Sequence, residues 1–247
     1  MGAVDVLAVW EAGVAAGAAE RALLLHSLAR PPASSEELLA TAVGERDAEL
    51  FGLRRALFGE RLDVVIGCPD CGEQLECDLG IGELLGERSE PGAADPADPV
   101  RRVESGPWAV DFRLPTAGDL AVVSGFDDIE KARGALLERI VVRAERSGRA
   151  MDPARIPASV QRLIAEAAAA AGPAADIRLA MPCPECAHPI SAELDIAGYL
   201  WRELDVWARG ALSDVHLLAS CYGWSESEIL ALSPRRRRYY VELCSDG

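Results

Sequence analysis

Lysine is almost missing from this chain of 247 residues, in which Lys131 stands alone beside abundant arginine. Acidic residues outnumber basic ones by 40 to 25, so the formal net charge is −15 and the pI is near 4.7. A field of this sign repels phosphate backbones and therefore argues against nucleic acid as the main partner. Half of the residues are hydrophobic, yet nowhere do about eighteen apolar residues run together, as a membrane-spanning helix requires. We therefore expect no membrane span.

Further absences bear on location and activity. The first residues show no positively charged segment followed by an apolar one, so the seven cysteines are expected to be reduced thiols of a cytoplasmic protein. No serine lies in a nucleophile elbow. Gly80, Gly82 and Gly86 are not expected to lie between a strand and a helix, the setting that a phosphate-binding loop requires. The chain is therefore predicted to have no catalytic residues and not to be an enzyme.

What the chain does contain is a duplicated motif. Cys68-Pro69-Asp70-Cys71 and Cys183-Pro184-Glu185-Cys186 begin 115 residues apart (183 − 68). Apolar or small residues alternate with other residues on both sides of each motif: Leu62, Val64, Ile66, Leu75, Cys77 and Leu79 in the first copy, and Ile177, Leu179, Met181, Ile190, Ala192 and Leu194 in the second. A period of two predicts half-buried strands. Each motif is therefore predicted to be the tight turn of a β-hairpin, here called a knuckle.

Four thiolates on two such turns are typical of a tetrahedral structural zinc site. Two residues between the cysteines allow both sulfurs to reach one ion, and the proline stiffens the turn. A redox pair would need a helix directly after a strand, disulfides would suit a secreted protein, and chance pairs would not share matching flanks. We predict that one structural Zn²⁺ ion is bound by Cys68, Cys71, Cys183 and Cys186. Iron accepts the same geometry, so the spacing does not distinguish the two metals.

The remaining cysteines and the histidines are assigned no metal. Cys77 is expected to be a small core residue, because Ala192 takes its place in the second copy. Cys221 and Cys244 are expected to pack as small hydrophobic residues in helices. The histidines are given no chemical role: His188 as an exposed turn residue, and His26 and His216 within apolar helical runs.

The pattern divides the chain into six regions, predicted to form one compact domain. They are an N-terminal helical region (1–60), the first zinc-knuckle hairpin (61–85), a flexible loop (86–107), a strand plus helical insert (108–172), the second zinc-knuckle hairpin (173–195) and C-terminal helices (196–247). The predicted fold class is α+β and mainly helical, with helices packed around one small, zinc-ribbon-like antiparallel sheet made of the two hairpins. The metal would join positions 112 residues apart (183 − 71).

Local signals predict several element boundaries. Ser34 with Glu37 and Ser225 with Glu228 form capping-box signatures, and Thr116 is the expected cap of another helix. The helix that begins after Ser34 is expected to break at 44–47, the next one to end at Gly59, and the longest one to end at Tyr222-Gly223-Trp224. A strand is predicted from the alternation of Trp108, Val110, Phe112 and Leu114 with other residues. One helix is predicted to run to about Arg146 and an alanine-rich one to span about 158–171. Residues 200–218 carry one apolar stripe and predict the longest helix.

The order of these parts resembles a family: the zinc-ribbon proteins encoded with contractile phage tails and phage-tail-like injection systems, akin to the baseplate hub assembly proteins of T-even phages. Besides the knuckles, the matching segments are Leu7-Ala8-Val9-Trp10-Glu11, Arg21-Ala22-Leu23, Gly44-Glu45-Arg46-Asp47, Leu53-Arg54, Phe112-Arg113-Leu114-Pro115-Thr116, Asp119-Leu120, Tyr222-Gly223-Trp224-Ser225, Glu228-Ile229-Leu230 and Tyr240 after an arginine stretch. The resemblance implies a non-enzymatic protein that helps to build a baseplate or is bound within one. Only the four motif cysteines are carried over as site residues.

Two functions therefore remain open. The first is an assembly chaperone or accessory structural protein whose partners are baseplate or tail components. The second is a zinc-ribbon nucleic-acid-binding or transcription accessory that uses Arg235 to Arg238. Exposed, solvated arginines on a helix would look the same, and the acidic composition favours the first function.

Overall fold

The computed structural model describes residues 2–86, 100–172, 174 and 176–245. Its N-terminal region consists of helices α1 (Ala3–Gly13), α2 (Ala18–Ala29), α3 (Ser35–Ala40) and α4 (Val43–Phe58). Ser34 caps α3 in the predicted capping box with Glu37. The predicted break at 44–47 is wrong, because those residues form the first turn of α4. The chain instead breaks at Thr41 and Ala42, whose extended backbone is held by pairing with a later segment, in which Ala117 N–H donates to the Thr41 carbonyl at 2.9 Å.

The first hairpin follows α4 directly. Gly59 ends the helix with φ +94°, as predicted, and leads into β1 (Arg61–Gly67) and β2 (Gln74–Gly80), which pair antiparallel. A short helix, α5 (Ile81–Gly86), comes next. The inner face of this hairpin consists of the predicted apolar residues, since Leu62 pairs with Leu79 and Ile66 with Leu75.

The region between the hairpins contains a four-stranded antiparallel sheet that the sequence did not predict. Its strands are β3 (Val100–Ser105), β4 (Trp108–Arg113), β5 (Val141–Arg146) and β6 (Arg149–Ala150), in that order across the sheet. The helices of this region are α6 (Ala117–Val123), α7 (Ile129–Ile140) and α8 (Ala158–Ala171), with a 3₁₀ turn at Pro153–Arg155.

Two predictions for this region are corrected. The flexible loop expected over 86–107 contains β3 at 100–105, and residues 87–99 lie outside the described part of the chain. The helix expected to continue to Arg146 ends at Ile140, where β5 begins. The reason is the same in both cases: β4 has the predicted alternation, with Trp108, Val110 and Phe112 buried, and its backbone groups need a strand on each side.

The second hairpin consists of β7 (Arg178–Pro182) and β8 (Pro189–Glu193). It leads into α9 (Ile196–Tyr222), the predicted long helix, which ends at Gly223 in the left-handed conformation. Helix α10 (Glu226–Leu230) begins with the capping box of Ser225 and Glu228, and α11 (Pro234–Ser245) follows.

The predicted fold class, α+β and mainly helical, is confirmed. The hairpins, however, do not share one sheet: β1–β2 and β7–β8 are separate two-stranded sheets. They meet through their apolar inner faces in one core cluster, to which Ile66, Leu179 and Ile190 belong. Because two such ribbons bury apolar side chains face to face, their backbone edges do not come together as a continuous sheet.

Two larger cores complete the packing. One joins α2, α4 and α9 with the base of the first hairpin and includes Leu25, Phe51 and Leu200. The other lies between the four-stranded sheet and helices α7 and α8 and includes Phe112 and Ile164. Within the part of the chain that the structure describes, no helix is both long and apolar enough to cross a membrane.

Candidate metal centre

The two knuckles have the same backbone geometry. Each is a six-residue loop, 68–73 or 183–188, between the last paired residues of its hairpin. In the first, Cys68 N–H donates to the Glu73 carbonyl at 2.7 Å and Gly72 N–H donates to the Cys68 carbonyl at 3.0 Å. In the second, Cys183 N–H donates to the His188 carbonyl at 2.8 Å and Ala187 N–H to the Cys183 carbonyl at 2.9 Å. The duplication seen in the sequence is therefore also a duplication of structure.

The knuckles bring the four predicted cysteines together. Their sulfur atoms all lie within 4.8 Å of one another, and across the two knuckles Cys68 Sγ is 3.6 Å from Cys186 Sγ while Cys71 Sγ is 3.6 Å from Cys183 Sγ. A tetrahedron of sulfurs about 2.3 Å from a central ion has edges of about 3.8 Å. These contacts are too long for disulfides, and all seven cysteines are free thiols. The cluster therefore has the dimensions to hold a metal ion.

Burial differs within the cluster. The first cysteine of each motif, Cys68 or Cys183, is buried, whereas Cys71 and Cys186 are exposed. Cys68 and Cys183 pack against the apolar core shared by the hairpins. An ion held here would therefore lie at the edge of the protein, with an apolar floor beneath it and the knuckle tips toward solvent.

Backbone donors and neighbouring thiols have opposite effects on the pKa values of the cysteines. The N–H groups of Cys71 and Asp70 point at the first sulfur and lower the pKa of Cys68 to about 6. The backbone N–H of His188 favours the thiolate of Cys186, but desolvation and the thiols of Cys71 and Cys68 raise the pKa of Cys186 to about 12. Four anions at this spacing repel one another, so a cation is needed to let all four sulfurs ionise together.

The cluster is positioned by the helices that flank the hairpins. Helix α4 ends at Gly59, immediately before β1, and α9 begins immediately after β8 with Asp195 as its N-cap. A buried arginine, Arg54 in α4, donates to both carboxylate oxygens of Glu203 in α9 at 2.7 and 2.9 Å and to the Gly59 carbonyl at 2.7 Å. Packing of these two helices thus sets the separation of the two knuckles.

A tyrosine connects the same helix to the first hairpin. The Tyr199 hydroxyl donates to the Asp63 carbonyl and accepts from Asp63 N–H, both at 3.1 Å. Tyr199, Arg54 and Glu203 were not among the predicted site residues. Polar residues on otherwise apolar helix faces were the only local signal, and it does not identify their partners.

The residues predicted to lie outside the site do so. Cys77 packs at the hairpin interface, with its Sγ 3.6 Å from Met181 Sδ, and does not belong to the cluster. The His188 side chain is likewise not part of it, although its carbonyl closes the second knuckle. The expectation that Cys221 packs as a small hydrophobic residue is wrong, since it is exposed, whereas Cys244 is half-buried.

The prediction that Gly80 and Gly82 do not lie between a strand and a helix is wrong, since they lie at the junction of β2 and α5. No phosphate loop results, because their N–H groups already have carboxylate partners. Gly80 N–H donates to Glu83 at 3.2 Å and Gly82 N–H donates to Glu60 at 2.6 Å. Two carboxylates at this helix start disfavour a bound phosphate.

No family model, curated protein or solved structure matches this chain.

Proposed function

We propose that the four cysteines bind one structural Zn²⁺ ion and that the protein is a non-enzymatic assembly chaperone or accessory structural protein of a contractile-tail or injection-system baseplate. The observation that carries the proposal is the tetrad of Cys68, Cys71, Cys183 and Cys186, whose sulfurs lie within 4.8 Å of one another.

Chemistry supports zinc and a structural role. Four thiolates form the common ligand set of structural zinc and leave no position open for water or substrate. Backbone N–H groups in each knuckle point at the sulfurs and offset the charge of a metal bound by four thiolates. Structural zinc contributes on the order of 10–16 kcal/mol in small peptides, comparable to the whole stability of a typical domain. Such an ion would hold together two hairpins from distant parts of the chain.

The assembly role is supported by the family resemblance and by charge. Besides the knuckles, the resembling segments include the Tyr222-Gly223-Trp224-Ser225 corner after α9 and the Thr116–Asp119 helix start. A protein with a net charge of −15 acts more readily on other proteins than on nucleic acid. Localisation in the cytoplasm, where contractile particles assemble, is part of the proposal.

The test combines metal analysis with co-purification. A tagged copy purified from producing cells is expected to contain one zinc per chain by elemental mass spectrometry and to bring sheath, tube or baseplate proteins with it. Iron in place of zinc, or no metal, would refute the first part of the proposal. Recovery of none of the particle proteins would refute the second.

One observation favours the alternative nucleic-acid role. Arg235, Arg236 and Arg238 are exposed and make no ion pair with the described residues, whereas Arg237 is buried against Asp214. The alternative requires binding of DNA or RNA that weakens steeply with salt. A gel shift at low salt that shows no complex would exclude it.

A further inference from the structure

The exposed face of α11 combines positive charge with apolar side chains. It carries Arg235, Arg236, Arg238, Tyr239 and Leu243, here called the arginine face. Tyr239 is 61% exposed and Leu243 48%. The three arginines form no ion pair with any part of the chain that is described. Arginine and tyrosine are enriched in protein–protein contacts, where their large side chains bury well.

The rigid setting of the arginine face suits an interface. Arg237, on the opposite side of α11, forms an ion pair with Asp214 of α9 at 3.0 Å. Aromatic rings form a second contact between α11 and the end of α9. The ring centroid of Trp224 lies 4.7 Å from that of Tyr222 in a stacked contact and 5.0 Å from that of Tyr240 edge to face. The helix is thus fixed on α9 by its inner side, and its outer side presents charges that no described residue neutralises.

The outer face of the first hairpin has the opposite charge to the arginine face. Its outward residues on β1 and β2 include Asp63, Val65, Glu76 and Asp78, and Glu73 lies in the knuckle directly before β2. Together these residues are called the acidic face. Asp63 lies directly opposite Asp78, an arrangement of like charges that costs stability. Asp78 is compensated by Arg61 at 2.7 Å, but Asp63, Glu73 and Glu76 form no ion pair with described residues. In the middle of these acids Val65 is 61% exposed.

These two faces cannot meet within one copy. Tyr199, near the start of α9, contacts the first hairpin, whereas α11 packs near the end of that helix. Helix α9 has 27 residues and is therefore about 40 Å long. Contact between the faces thus requires two molecules.

We propose that a second copy of this chain docks its acidic face onto the arginine face. Three arginines and three acids, none of them in an ion pair with a described residue, meet across this contact, and Val65 meets the apolar surface of Tyr239 and Leu243. The contact joins different surfaces of the two copies, so it repeats head to tail and builds a short filament or a ring. Because each copy carries a net charge of −15, long-range repulsion limits the growth, and physiological salt screens it over about 8 Å.

The experiment is sedimentation equilibrium of the metal-loaded full chain at physiological salt, up to about 500 μM, a range that detects weak contacts. The average mass of the wild type is expected to rise with concentration. The variant R235E/R236E/R238E is expected to associate at least about tenfold more weakly. The control R149E/R155E/R162E reverses three exposed arginines of the insert and reaches the same net charge of −21 (−15 − 6). This control is expected to lose less than half as much association strength as R235E/R236E/R238E loses.

A charge swap tests direct contact between the faces. The variant D63R/E73R/E76R alone is expected to remain monomeric, and an equal mixture with R235E/R236E/R238E is expected to associate again, because each reversed face then meets its opposite. Should a reversed variant lose its far-UV circular dichroism, R235Q/R236Q/R238Q replaces it.

Four results would overturn the proposal. The first three are a wild type that stays monomeric at every concentration, an equal loss in the control, and a mixture that does not recover. A fourth is binding of a fluorescent 20-nucleotide DNA by the wild type but not by R235E/R236E/R238E, which would assign the arginine face to nucleic acid.

Discussion

The two knuckles offer a matched test of how backbone conformation stabilises the candidate metal centre. They have the same length and hydrogen bonds, but the residue after the second cysteine differs: Gly72 has φ +80° and Ala187 has φ +60°. In this left-handed region an alanine is disfavoured by about 1–2 kcal/mol, whereas glycine is not. One knuckle therefore has the residue suited to its conformation and the other does not.

The perturbation is a pair of opposite substitutions. Ala187→Gly removes the strain but makes the unfolded chain more flexible, so we expect a net gain of about 0.5–1 kcal/mol in the free energy of unfolding. Gly72→Ala is expected to lose about 1 kcal/mol. A Cβ atom on Gly72 meets no described atom within 4 Å, so this loss would come from the backbone rather than from a clash.

Helix α4 supplies the control. Gly52 lies in its middle, is exposed, and a Cβ atom there also meets nothing within 4 Å. Gly52→Ala is the same chemical change at a helical φ, and it is expected to stabilise the protein by up to about 1 kcal/mol. The sign of a glycine-to-alanine change should therefore depend only on the local conformation.

The assay is urea unfolding of the zinc-loaded protein under reducing conditions, together with competition for zinc by a chelator. If the knuckle conformation is coupled to the metal, a change of about 1 kcal/mol appears as about a fivefold change in zinc affinity. Gly72→Ala should release zinc more readily and Ala187→Gly less readily. A loss of stability for Ala187→Gly, or a gain for Gly72→Ala, would refute this account of the knuckles.

Two further predictions concern the cysteines and a buried carboxylate. Cys183→Ser is expected to abolish binding of stoichiometric zinc and to unfold the hairpins, whereas Cys77→Ser, outside the cluster, should keep the metal. Elemental analysis measures the zinc and circular dichroism the folding of both variants. Equal loss in the two variants would contradict the assignment of Cys183 as a metal ligand. Burial alone would raise the pKa of Asp119, but hydrogen bonds from Arg113, the Thr116 backbone and Arg139 hold that pKa well below its usual range. Its stabilising effect is therefore complete above the unfolded pKa of about 4 and disappears as the pH falls toward the folded value. Asp119→Asn should cost about 2 kcal/mol at pH 7, since both arginines are partly exposed, with a smaller difference from wild type at pH 3. Among the described residues, Asp111 pairs only with the exposed Arg102, so Asp111→Asn should cost less than about 1 kcal/mol. A pH-independent difference would contradict the linkage.

Patterns local in sequence predicted local structure well. The capping residues Ser34, Thr116 and Ser225 begin helices because each side chain satisfies a backbone N–H only three residues away. The same holds for Gly59 and Gly223, whose positive φ ends a helix within one turn. Alternating apolar residues likewise predicted both hairpins and β4.

The element predictions that were wrong share a different property. Segments 100–105 and 141–146 become strands because each pairs with β4, so their state depends on a partner rather than on their own pattern. Segment 44–47 belongs to a helix because the break moved to Thr41, which is held by Ala117. In each case a contact distant in sequence overrode the local signal.

The sequence was sufficient to identify the four cysteines of the cluster, because their spacing and the alternating flanks depend on bonds and hydrogen bonds within a few residues of each motif. Tertiary structure alone decided that the two motifs meet. Arg54, Glu203 and Tyr199 hold α4, α9 and the first hairpin together, and the apolar inner faces of the hairpins pack on one another. Burial and ion pairing between distant segments have no counterpart in local pattern, because they depend on which surfaces remain available once the helices have packed.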